Sequence, residues 1–236
     1  MSADKEMQQE FGEILKETQS LLKSLQASGV KEIPAGSEPP AAGPGAELSL
    51  AEKEKRIAPV RAEAMSCVKC RLCKTRKTVV FSDGSLEAEL VFVGEGPGRD
   101  EDEQGVPFVG AAGKLLTKII EAMKMQRGEV YICNVVKCRP PQNRPPEPDE
   151  IAACSGYLET QLLTIRPKVI CALGKTAAAA LLETQAPMGA LRGRTFEWKG
   201  IPLIVTYHPA YLLRNPAAKK EVWEDMQIAL RLLAGA

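Results

Sequence analysis

The sequence predicts an α/β protein in which a parallel β-sheet is sandwiched by helices. Three observations lead there. Four short apolar runs, Leu90–Val93, Val130–Cys133, Val169–Leu173 and Leu203–Tyr207, are continuous rather than alternating, as strands covered on both faces are. Helical patterns lie between them at 111–124, 149–164 and 175–183, with a last one near 216–233. Strand and helix alternating in this way build a sheet with helices on both faces.

Residues 4–27 carry Met7, Phe11, Ile14, Leu15, Leu21, Leu22 and Leu25 at mostly three- and four-residue spacing, which predicts an amphipathic N-terminal helix within 1–28. Residues 29–60 read as a flexible linker rich in Pro, Gly and Ala, because such a composition buries too little apolar surface to order itself. The α/β domain is assigned to 61–236. Asp149 opens the helix at 149–164, where a carboxylate offsets unpaired amides of the first turn, with Pro148 just outside it.

The chain has 236 residues, 44% of them hydrophobic, and a formal charge of +1. No apolar run reaches the roughly 18 residues of a membrane-spanning helix. The opening Asp4-Lys5-Glu6 lacks the apolar core of a signal peptide, so the expected location is cytoplasmic. Near-neutral charge argues against a protein holding nucleic acid by bulk positive charge. The average hides an asymmetry: residues 1–60 hold 10 acidic and 7 basic side chains, the remainder 20 and 24. One histidine excludes zinc sites built on two or three histidines, and any His–His acid/base pair.

The functional signal lies just beyond each apolar run. Gly94-Glu95-Gly96-Pro97-Gly98 comes after the first, Asn134 after the second, Gly174-Lys175-Thr176 after the third and His208-Pro209 after the fourth. In an open parallel sheet the carboxyl ends of the strands share one crevice, the usual ligand site. A carboxylate, a carboxamide and the single imidazole therefore converge. The glycines match neither a dinucleotide fingerprint nor a phosphate loop, since position 169 is valine and Leu115 comes after Gly113-Lys114. Glu95 offers a base for water, Asn134 one acceptor and two donors for a base edge, and Phe108 a ring for stacking. Each also has a structural reading: a solvated turn, a turn cap and a core side chain. Lys137, Arg139, Arg144 and Arg214, with Lys114, Arg192 and Arg194, would contact phosphates if they line one crevice; a solvated basic face is the alternative reading.

Seven cysteines without a secretory signal are poor grounds for a disulfide framework. Cys133 and Cys171 lie in apolar runs and read as core. Cys67 and Cys70 form a Cys-x2-Cys pair beside Cys73, while Cys138 and Cys154 flank a loop with five prolines. Four such thiolates suit zinc or an iron–sulfur cluster.

The chain resembles the type 4 uracil-DNA glycosylases, the iron–sulfur members of the uracil-DNA glycosylase superfamily, over residues 61–233. The resemblance rests on Cys67-x2-Cys70, Gly94-Glu-Gly-Pro-Gly98, Gly105-Val-Pro-Phe-Val-Gly110, the segment Asn134–Arg144, Cys154 and the segment His208–Pro216, in that order. It implies a three-layer α/β/α sandwich with a four-stranded parallel sheet, and a structural [4Fe–4S] cluster on Cys67, Cys70, Cys138 and Cys154. It implies uracil binding by Gly94, Glu95, Gly96, Phe108, Asn134 and His208, with Phe108 stacking, Asn134 reading the pyrimidine edge, and His208 stabilising charge on uracil O2. Gly96 stands where some branches have a catalytic aspartate, leaving Glu95 for water. Tyr211–Arg214 would enter the DNA groove. No lysine of the strand-end motifs is an evident nucleophile, so a monofunctional, monomeric enzyme is expected, acting on uracil in single- or double-stranded DNA during base excision repair. The arm is either a helix for an unidentified protein partner or a tolerated extension.

Overall fold

A computed structural model describes residues 48–235. The helix expected at 1–28 and the linker up to residue 47 lie outside the described residues. Helix α1 (Leu50–Met65) begins inside the span assigned to the linker. Ser49 and Glu52 form a reciprocal cap, the Glu52 carboxylate accepting from the Ser49 amide at 2.8 Å. Ile57 and Ala64 are buried, and α1 packs on the long helix Pro148–Ile165. The Pro/Gly-rich composition of 34–45 ends before this cap.

The sheet has six strands: β1 (Asp83–Gly84), β2 (Leu90–Gly94), β3 (Tyr131–Asn134), β4 (Val169–Leu173), β5 (Thr195–Trp198) and β6 (Ile201–Thr206), in the order β1-β3-β2-β4-β6-β5. The expectation of a four-stranded, purely parallel sheet is therefore corrected. The four apolar runs do form a parallel centre, β3-β2-β4-β6, but β1 pairs antiparallel with β3 and β5 antiparallel with β6. Neither edge strand carries a buried-run signature. Strand β1 is two residues long, and β5 alternates exposed and half-buried positions. Strand β5 turns into β6 through Lys199 (φ 48°) and Gly200 (φ 81°), the two positive φ values of a primed hairpin turn.

Both faces of the parallel centre are apolar. Val91, Val93, Ile170 and Ala172 belong to one core cluster with side chains of α1, α4 (Pro148–Ile165) and α5 (Lys175–Leu182). Leu90, Phe92, Cys171 and Leu173 belong to the other, with α3 (Ala111–Ala122) and α8 (Lys219–Leu233). The short helices α2 (Arg99–Gln104), α6 (Met188–Leu191) and α7 (Pro209–Arg214) complete the order. Cys133 and Cys171 are fully buried core residues. Pro148 is the first residue of α4 rather than lying outside it, with Glu147 as cap. Among the described residues no helix is long and apolar enough to cross a membrane.

Candidate active site

The carboxyl ends of β2, β3, β4 and β6 open onto a cavity of about 490 Å³, lined among others by Glu95, Phe108, Asn134, Lys175, Thr176, His208, Tyr211 and Arg214. Residues separated by more than a hundred positions thus meet in one crevice.

Phe108 is placed by restraint from several sides. Its backbone is left-handed (φ 54°), an uncommon state for a residue with a large side chain. One oxygen of Glu101, on α2, accepts both the Val109 and Gly110 amides at 2.9 Å. Arg127 donates to the Pro107 carbonyl at 2.6 Å. At Gly113 a Cβ would lie 1.9 Å from the Phe108 carbonyl oxygen, so only glycine allows α3 to start this close to the turn. The Phe108 ring is buried and tilted 33° to the His208 ring, with centroids 5.5 Å apart.

Asn134 ends β3 and is 1% exposed. Its Oδ1 is buried with no hydrogen-bond partner among the described residues. Orphaned buried acceptors are rare and costly. Gly94 backs this atom closely: a Cβ there would come within 2.4 Å of Asn134 Oδ1 and 2.5 Å of the Phe108 ring. Gly96 is backed by Val136, 2.8 Å from an added Cβ.

His208 caps α7, its Nδ1 accepting the Ala210 amide at 3.1 Å. The proton of the neutral ring is therefore on Nε2, a donor. Burial pushes the pKa down to about 4, Glu101 opposing and Arg214 reinforcing the shift. The imidazole is neutral at physiological pH. Gly174 (φ 89°) lies against its Cβ, again leaving little room for a side chain.

Glu95 accepts a short hydrogen bond from the Thr176 hydroxyl at the start of α5. Neither Thr176 nor Glu101 stands out in the sequence: the first lies in a failed phosphate-loop match, the second in an acidic run that resembles a solvated face.

The basic residues divide. Arg214 and Arg144 line the cavity and Arg139 lies partly exposed, bonded to Asn143. Arg144 also makes a two-pronged pair with Glu150 at 2.8 and 2.6 Å. Lys137 is fully buried, its amine bonded to the Asn134 carbonyl and to Gln161. Arg192 is engaged with Asp225 at 2.9 Å and stacks on Tyr207. Lys175, by contrast, brings an amine to the cavity wall.

The cysteine reading is also corrected. Among the described residues no group of three or more His, Cys, Asp or Glu side chains is arranged to hold a metal ion, so the expected [4Fe–4S] cluster on Cys67, Cys70, Cys138 and Cys154 has no site here, and neither does zinc. All four belong to or pack against the same core cluster. Cys138 accepts from Arg76 at 3.4 Å and Cys154 from the Lys137 amide at 3.3 Å. Burial raises the thiol pKa of Cys70, Cys138 and Cys154, Cys138 to about 11. Spacing along the chain suggests a ligand set, but it does not specify how the sulfurs are used.

A model of the uracil DNA glycosylase superfamily matches residues 81–227. The chain belongs to that superfamily. Curated relatives place it beside the type-4 branch: it is 45% identical over 177 residues to a type-4 uracil-DNA glycosylase of Sulfurisphaera tokodaii, covering 71% of this chain and 80% of the relative. It is 46% identical over 173 residues to one of Archaeoglobus fulgidus, covering 70% and 87%. It is 43% identical over 181 residues to one of Thermotoga maritima, covering 75% and 94%. The superfamily match spans the four parallel strands and every cavity residue described above.

Proposed function

We propose that the cavity receives a uracil turned out of DNA, and that the chain hydrolyses its N-glycosidic bond to leave an abasic site for base excision repair. The superfamily assignment supports the glycosylase activity and the DNA substrate. The observation that carries the site is the orphaned Asn134 Oδ1, which shares one cavity with the Phe108 ring and the neutral His208. Asn134 accepts from the N–H on the pyrimidine edge. Phe108 stacks on the ring, a contact worth roughly 1–3 kcal/mol.

As the glycosidic bond breaks, the sugar gains cationic and the base anionic character. His208 Nε2–H donates to the oxygen where that negative charge accumulates. A fixed donor of this kind stabilises the departing anion without reorganising. Glu95, oriented by Thr176, positions the water that attacks the sugar. Extruding the nucleotide costs a few kcal/mol, least for a mispaired base such as uracil opposite guanine. Arg139, Arg144 and Arg214 approach the phosphates, and the exposed Tyr211 and Leu213 on α7 face the opened stack. The same reading takes single- or double-stranded uracil-containing DNA as substrate and the protein as a cytoplasmic monomer, its thiols reduced. It takes residues 61–236 as the catalytic domain. The apolar stripe within 1–28 is taken as a contact for an unidentified protein partner.

The test is excision from single-stranded and U:G oligonucleotides, then alkali cleavage. Abasic product is expected, with no strand break before alkali and no borohydride-trapped adduct. Absence of product at enzyme excess refutes the activity, and an adduct through Lys175 refutes the hydrolytic route.

A further inference from the structure

Lys137 is the least expected residue near the cavity. It is 1% exposed, and no carboxylate lies within ion-pairing distance of it among the described residues. Burying a lysine amine without an opposite charge is costly, and an apolar side chain would fill the same space without that penalty. What the amine touches explains its presence. Nζ donates to the Asn134 carbonyl at 2.7 Å and to Gln161 Oε1, and it faces the Phe81 ring at 5.8 Å. Gln161, on α4, is itself fixed: its Nε2 donates to the Phe81 carbonyl and the Tyr131 hydroxyl, each at 3.1 Å.

The segment beyond β3 is fastened along its length. The Val135 and Val136 amides donate to the carbonyls of Gly94 and Glu95 at 2.9 and 3.1 Å, and Val80 donates to the Lys137 carbonyl at 2.8 Å. These bonds set where the segment runs, while the Lys137 amine tethers the peptide group of Asn134 itself. Gly94 leaves the Asn134 side chain almost no tolerance on its other side. A small rotation of the 134 carbonyl would carry Oδ1 away from the ligand or into Gly94.

We infer that Lys137 is a positioning residue: its buried side-chain amine, braced by Gln161, fixes the Asn134 carbonyl and so aims the Asn134 carboxamide at the flipped base. The inference rests on the proposed role of Asn134. It assigns to Lys137 a task inside the protein in place of the phosphate contact suggested by its charge.

The test is a double-mutant cycle on the full chain with Lys137→Met, Asn134→Ala and the double variant, read by single-turnover excision of uracil and by inhibition with free uracil. Lys137→Met should lower the single-turnover rate roughly ten- to a hundredfold, the scale of a misplaced group, and weaken free-uracil inhibition, with KM for DNA little changed. In the Asn134→Ala background it should add almost nothing, since coupled residues are not additive. An additive loss, or a lowered melting temperature with wild-type rates, overturns the inference. If Asn134→Ala alone leaves rate and inhibition intact, the role of Asn134 fails instead, and the two failures are thereby distinguished. Should Lys137→Met not fold, Gln161→Met removes the brace: a smaller loss that disappears in the Asn134→Ala background supports the inference, and an additive or absent loss overturns it.

Discussion

A single methyl group at position 94 should disable the cavity while leaving the fold in place. Ordinary contact begins near 3.4 Å, whereas the Cβ of Gly94→Ala would lie 2.4 Å from Asn134 Oδ1 and 2.5 Å from Phe108 Cζ. Each group must therefore withdraw by about 1 Å, and a displacement of that size costs on the order of a hundredfold in rate when the group orients substrate. Neither side chain has an easy retreat, because Asn134 is 1% and Phe108 6% exposed. The overpacking should cost roughly 1–3 kcal/mol of stability, short of unfolding a domain of this size. Gly94 does not have a left-handed backbone, so alanine adds no dihedral strain. Single-turnover excision on a uracil oligonucleotide, beside a thermal melt, measures both quantities. Excision within about threefold of the wild type would mean that the placement of Asn134 and Phe108 does not govern the reaction, and would refute the assignment.

The same geometry sets other outcomes. With the His208 pKa pushed down to about 4, the neutral donating ring persists from alkaline pH down to that value, so excision should show no inflection near 6.5. The unfolded ring takes up its proton first as pH falls, so the stability contributed by the neutral ring is lost between about 6.5 and 4. An inflection near 6.5 in the excision rate that vanishes in His208→Ala would contradict the neutral donor. Glu101→Ala frees two amides at the Phe108 turn and should raise KM and lower the melting temperature, whereas Glu101→Gln keeps an acceptor and should retain most of both; equal effects in steady-state assays would count against the clamp. Arg144→Met leaves the fully buried Glu150 with the Glu147 amide at 2.8 Å and the Arg71 contact at 3.4 Å as its remaining partners. It should cost about 3 kcal/mol or somewhat less in denaturant unfolding, and an unchanged midpoint would mean that Arg144 serves DNA alone.

The centre of the fold was legible because its strands are buried on both faces, and continuous apolar runs record that directly. Its edges were not. Asp83–Gly84 and the half-exposed Thr195–Trp198 are shaped by pairing and a hairpin turn, neither of which leaves an apolar run. In the cavity, Glu95, Phe108, Asn134 and His208 were visible because strand order converts four sequence positions into one place. Residues acting through others were hidden: Glu101 looks like one more surface acid, and Lys137 like one more cation for phosphate. Charge alone does not say which way a side chain points. The cysteines show the same limit, since spacing predicted a ligand set and the packed sulfurs instead accept hydrogen bonds.

The restraint on Phe108 has a consequence for timing. Because Glu101, Arg127 and Gly113 hold the ring in its left-handed turn, its place is settled when the chain folds. The entropy of ordering that wall is spent before any DNA arrives. A base leaving the stack thus meets a finished surface and need not wait for one to assemble. Capture then depends on how often, and for how long, a base stands outside the helix, which favours the mispaired base over its well-stacked neighbours.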